Sequence, residues 1–280
     1  MASHQQHHYV PASYFKPWCN QHGLMTYYCW RGSKFVVDTT SPKSVTKEQL
    51  LYALHGAPEN LVVEMETQFF TPHIDEPGAA IIQSLVLTGT TSLSDAQRHL
   101  WTRFVMALHT RRPEAIEYAR ATGRQVVLNS LKDDPEYAQL RSEDMPDSLV
   151  DFVSPWVVDN FGMLTMPAIV DHEPTHDTIM SMRWWCLDFK TSDIDLLTGD
   201  RPLIWPLPAD NSEFYFFLPL GPKLCFFAAK KEATERQIRK MSPVKLARHI
   251  NESTIGQCQQ YAYAAHARHK TFVERRLKRE

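Results

Sequence analysis

The segment SLSDAQRHLWTRFVMALHTRRP, residues 92–113, limits what this chain can fold into more than any other stretch. Ser94 followed by Gln97 three positions later forms a capping box, in which each side chain satisfies a backbone N–H at the start of a helix. Leu100, Trp101, Phe104, Val105 and Leu108 then recur on one face, which must be covered by other elements. Pro113 ends this helix and opens a second one carrying EAIEYARATGRQVVLNSL.

What covers that face is read from both ends of the chain. Near the start, GLMTYYCWRGSKFVVDT places two β-branched and aromatic runs around Arg31-Gly32-Ser33, the pattern of a hairpin. From Arg183 onward, RWWCLDFKTSDIDLLTGDRPLIWP and EFYFFLPLGPKLCFFAA are apolar runs broken by Gly and Pro, as in strands of a buried sheet. Between them, Thr46 reads as the N-cap of a short helix in SPKSVTKEQLLYAL. Leu61, Met65 and Phe69 have helical spacing in APENLVVEMETQFF. The expected class is α+β: a mainly helical middle, an N-terminal hairpin, and C-terminal strands forming a mixed or antiparallel sheet. Residues 1–280 read as a single domain, with an acidic, solvated connector at 132–147.

Composition excludes several classes. No apolar run reaches the ~18 residues of a membrane span, and the first twenty positions are polar and rich in histidine, unlike a secretory signal. The expectation is a cytoplasmic protein with no membrane partner. Five widely spaced cysteines with no C-x-x-C pair point to reduced thiols, not to a disulfide framework or a zinc ribbon. Acids dominate residues 133–213 and bases dominate 223–280, a segregation that suits either an anionic partner or attraction within the fold.

Three motifs carry chemistry in principle. His172-Glu173-Pro174-Thr175-His176 has the letters of a zinc-protease helix, but Pro174 at an interior position disrupts the helix that such a site needs. Asp188-Phe189-Lys190, following Asp171, has the arrangement of metal-dependent nucleases, yet on a half-buried strand its charges simply face solvent. Arg268, Lys270, Arg275, Arg276, Lys278 and Arg279, with Tyr261, Tyr263 and Phe272 close by, read as a basic C-terminal helix able to contact nucleic-acid phosphates. Neither a glycine-rich phosphate loop nor a G-x-S-x-G elbow is present in the sequence.

HHYVPASYFKPW near the start, SPKSV, VVEMETQFF, RRP, LTGDRPLI, FLPLGPKL and a late INE, in that order, resemble a prokaryotic family known as domain of unknown function 4238. The resemblance covers most of the chain and directs attention to His7, His8, Tyr9, Pro11, Glu66, Arg111 or Arg112, Asp200 with Pro202, and Asn251. The chain departs from the commoner Ser-Asp-Asn-Pro form at Gly199-Asp200-Arg201-Pro202. The resemblance thus implies catalytic candidates His7, His8, Glu66 and Asp200, with Arg112, Arg201 and Asn251 as substrate-binding candidates. Imidazoles and carboxylates together could bind a divalent metal and activate water, while an arginine holds a phosphate oxygen. The leading expectation is therefore a metal-assisted hydrolase or nuclease-like effector acting on phosphodiesters. Its rival is a non-enzymatic protein whose polar groups bind a ligand or partner. The four candidates can converge if the strand near Tyr9 shares a sheet with DLLTGDRPLI.

Overall fold

The computed structural model describes residues 5–132 and 134–279, so His4 and Asp133 lie outside it. The strands are β1 (Gln6–His8), β2 (Met25–Arg31), β3 (Lys34–Thr40), β4 (Lys47–Gln49), β5 (Arg183–Asp188), β6 (Thr198–Gly199), β7 (Tyr215–Gly221), β8 (Leu224–Ala229) and β9 (Ala262–Ala264). They form three sheets, ordered β1-β4, β3-β2-β9-β6 and β5-β8-β7, in which every pairing is antiparallel. The α+β class is thus observed, with the strands divided among small sheets.

A π-helix, Met65–Asp75, runs directly into α1 (Glu76–Thr88), followed by α2 (Asp95–Thr110) and α3 (Pro113–Lys132). Shorter helices complete the middle: α4 (Pro135–Leu140), α5 (Pro155–Asp159), α6 (Phe161–Leu164), α7 (Met166–Val170) and α8 (Glu173–Ser181). The C-terminal part adds α9 (Glu232–Lys240), α10 (Pro243–Gln257) and α11 (Lys270–Glu274). No helix among the described residues is long and apolar enough to cross a membrane.

The capping box forms as expected, with Gln97 N donating to Ser94 Oγ at 3.3 Å and Ser94 N donating to Gln97 Oε1 at 2.9 Å. The apolar face of α2 is covered from both sides. Trp101 meets the edge of Phe226 from β8 at 5.3 Å. Across α1, a Cβ on Gly78 would lie 2.1 Å from the Phe104 ring, so only glycine permits that close approach.

Two local expectations need correction. Thr46 does not cap a helix: it sits at φ +48, and the residues after it form β4, paired with β1. The Thr46 hydroxyl donates to the Val10 carbonyl at 2.9 Å instead, joining that turn to the N-terminal segment. The N-terminal strand also does not share a sheet with DLLTGDRPLI, because β6 pairs with β9 and β1 pairs only with β4.

Candidate functional site

Glu66 and Asp75 are brought to one side of the chain by the width of the helix they share. They lie nine residues apart, which at about 100° per residue would put them on opposite faces of an α-helix. The i→i+5 bonding of a π-helix gives about 4.4 residues per turn, so nine residues make just over two whole turns and the carboxyls align. Pro72 accounts for the widening: it has no N–H to donate, and its ring would clash with the carbonyl four residues back in an α-helix. At the end of this segment Glu76 N donates to Thr71 O, five residues earlier.

These carboxyls meet Arg111, the fully buried residue that ends α2, whose Nη1 lies 2.7 Å from Asp75 Oδ1. Burial lifts the Glu66 carboxyl to about 7; Asp75 adds to the rise, while Arg111 and a hydrogen bond from Thr71 oppose it. Burial also raises Asp75 against the pull of Arg111. His8 completes the group. Burial pushes its pKa down, against a hydrogen bond to the Lys43 backbone that favours the charged ring, and Lys47, Arg111 and His7 lower it further. His8 Nε2 is buried without a hydrogen-bond partner, and Glu66 Oε2 is in the same condition. His8, Glu66 and Asp75, with Ser13 and Thr71, line an open cleft of about 240 Å³.

A second, larger cleft of about 570 Å³ lies beyond the β1 segment, lined among others by Tyr9, Glu48, Arg112, Glu114, Asp200 and Arg201. Neighbouring residues thus face different clefts: His8 lines the smaller and Tyr9 the larger, while Arg111 pairs with Asp75 and Arg112 lines the larger. Tyr52 ties this wall together, its hydroxyl lying 3.2 Å from the His8 carbonyl and 3.3 Å from the Arg111 carbonyl. Its backbone N–H donates to His7 Nδ1 at 2.9 Å, and the two rings stack.

Three of the charged groups that line the larger cleft have partners within the protein. Asp200 accepts from the backbone N–H groups of Gln259, Gln260 and Tyr261 at 2.7–2.9 Å. Arg201 and Arg112 share Glu114, at 2.9 and 3.6 Å. Leu50, on the cleft wall, holds φ +54, a strained conformation for a branched residue.

The profile of a family described as "Protein of unknown function (DUF4238)" matches residues 6–268. The chain belongs to the DUF4238 family. Searches of curated proteins and of solved structures returned no match.

In this DUF4238 chain the sequence candidates divide. His8 and Glu66 share the smaller cleft; Asp200, Arg112 and Arg201 share the larger; His7 is fully buried in the wall between. Asn251 stands elsewhere as a brace, accepting from Leu197 N and donating to Asp195 O, both at 2.8 Å. Asp75 was missed, although a proline between two acids in a helical pattern was its signal.

The remaining motifs take structural roles. His172 precedes α8, with Pro174 in its first turn, and its Nδ1 lies 3.0 Å from Thr175 Oγ1. Asp188 pairs with the exposed Lys190 at 3.0 Å. The basic C-terminus is not one long helix: α11 has 5 residues, Arg268 pairs with Asp195, Arg276 pairs with Glu252 at 2.9 Å, and Arg279 stacks on Trp30. Among the described residues no group of three or more His, Cys, Asp and Glu side chains could hold a metal ion. The donor set therefore does not fit the divalent metal that the sequence suggested.

Proposed function

We propose that this DUF4238 protein is a hydrolase whose acid–base pair is Glu66 and His8. One observation carries the reading: two half-buried titratable groups of opposite character, each with a buried polar atom that lacks a hydrogen-bond partner, line one cleft. Buried polar atoms in native proteins nearly always have partners, and two such atoms on one open cleft suit a bound group that completes them. In the larger cleft Asp200, Arg112 and Arg201 already have protein partners, so a ligand there would compete with those bonds.

The roles follow from protonation. Burial favours the neutral His8 ring, and its unpartnered Nε2 is the atom that accepts a proton from water. Glu66, near its midpoint at that pH, is protonated in a large fraction of molecules and delivers a proton to the leaving atom. Arg111 and Asp75 act through Glu66: burial raises its pKa, and their opposed charges adjust it. The phosphodiester substrate and nuclease-like role expected from the sequence gain no support at this pair, because Arg112 and Arg201 line the other cleft and pair with Glu114. No step is assigned to a metal. The five free cysteines suit a reducing compartment, and we assign the protein to the cytosol on that basis.

The test is the pH dependence of turnover on a panel of nitrophenyl phosphodiesters and carboxylic esters. Turnover needs His8 neutral and Glu66 protonated, so the profile is a bell whose acid limb lies below 6.5 and whose alkaline limb lies near 7. Glu66→Gln and His8→Gln should each reduce kcat by about 100-fold or more. Binding of a panel member with no turnover at any pH would favour the non-enzymatic reading.

A further inference from the structure

A third cleft, of about 320 Å³, is built where the loop before β6 meets α10, the 267–269 turn and α11. It is lined by Asp193, Ile194, Arg248, Asn251, Arg268, His269 and Phe272. None of these residues takes part in the acid–base group at Glu66 and His8.

Its chemistry is that of an anion site beside an aromatic ring. A single carboxylate, Asp195, neutralises two cations, Lys223 at 2.8 Å and Arg268. Arg248 stands on the exposed face of α10 and makes no ion pair among the described residues. Positive charge therefore remains in excess over the cleft despite Asp193. His269 Nε2 is buried without a hydrogen-bond partner. Phe272 is half-buried, and the Arg276 guanidinium lies 4.1 Å above its ring. The floor is rigid, because both polar ends of the Asn251 amide are bonded to the 195–197 backbone. Asn251, which the sequence suggested as a substrate ligand, thus shapes this cleft without offering it a hydrogen bond.

We propose that this cleft binds a nucleoside phosphate, with the phosphate between Arg248, Arg268 and His269 and the base against Phe272. Arginine suits a phosphate because its fork donates two parallel hydrogen bonds. An aromatic ring accepts any base because every base has a π-face. A volume of about 320 Å³ lies at the lower end of the range of small-molecule sites. The ligand is either a free mononucleotide or the phosphorylated end of a strand, which share this chemistry. The site does not depend on the hydrolase reading.

The experiment is calorimetric titration of the full chain at low salt with AMP, adenosine, inorganic phosphate and a 5′-phosphorylated pentanucleotide. AMP is expected to bind at least about tenfold more tightly than phosphate or adenosine. Arg248→Gln should weaken AMP binding about tenfold, and Phe272→Ala should weaken AMP while leaving phosphate unchanged, with melting curves confirming that both variants fold. Glu66→Gln should bind AMP as wild type does, which separates this site from the hydrolytic one. A pentanucleotide tighter than AMP identifies a strand end as the ligand, and equal affinity identifies the mononucleotide. Equal affinity for AMP and phosphate, or an Arg248→Gln variant that binds AMP normally, overturns the proposal.

Discussion

Glu66 is a carboxyl that the fold prefers protonated. Its pKa of about 7 stands above the ordinary 4.5, so between those values the folded chain holds a proton that the unfolded chain has released. Stability therefore falls as pH rises from 4.5 through 7, and below 4.5 the residue has no effect. Glu66→Gln should accordingly raise Tm by about 2–5 °C at pH 8 and leave it unchanged at pH 4, while turnover is lost; an equal shift at both pH values would refute the assigned protonation. Arg111 has the opposite character. Arg111→Met leaves Asp75 and Glu66 buried without their cation, at a cost of about 3–5 kcal/mol, read as a fall in Tm of roughly 10 °C. His8→Ala, by contrast, should abolish turnover with little change in Tm, because Nε2 contributes no hydrogen bond to the fold. A large loss of Tm with turnover retained would make His8 a packing residue.

The π-helix decides whether the site exists. Pro72→Ala restores a backbone donor and removes the ring clash, which favours α-helical winding and turns Asp75 away from Glu66. Helix content by circular dichroism should hold or rise, while the alkaline limb of the pH profile moves below 7 as Glu66 loses its like-charged neighbour. An unmoved limb would show that Asp75 plays no part in setting Glu66. This element also shows where the sequence stops being informative. Ser94, Gln97 and Pro113 announce the ends of α2 and α3 because capping is local chemistry. Leu61, Met65 and Phe69 say only that a helix is near, since the apolar spacing is the same for either winding. The β1-β4 pairing escaped notice because β4 is 3 residues long and polar, and its pairing partner lies about forty residues away. The family resemblance supplied His8 and Glu66, but nothing in the spacing of the candidates revealed that a wall stands between them and Asp200.

Across the whole molecule, the acidic and basic halves of the sequence meet each other. Asp195 takes Lys223 and Arg268, Glu213 takes Lys231, and Glu235 in the basic part takes Arg183 from the acidic part. Asp195 matters most here, being almost wholly buried; Asp195→Asn leaves two cations facing each other and should lower Tm by roughly 5–10 °C. The arginine and lysine side chains of α11 and beyond serve the same internal balance in part, which is why the charge segregation does not by itself require a nucleic-acid partner. The wall between the first two clefts has a consequence in time. Chains are made from the N-terminus, and residues 8, 66, 75 and 111 have all emerged before α3 is complete. The larger cleft still lacks Asp200, Arg201 and the 259–261 amides that hold Asp200, which lie well beyond α3 in the chain. One side of the wall is therefore furnished by the nascent chain before the other, which waits for residues 200 to 261.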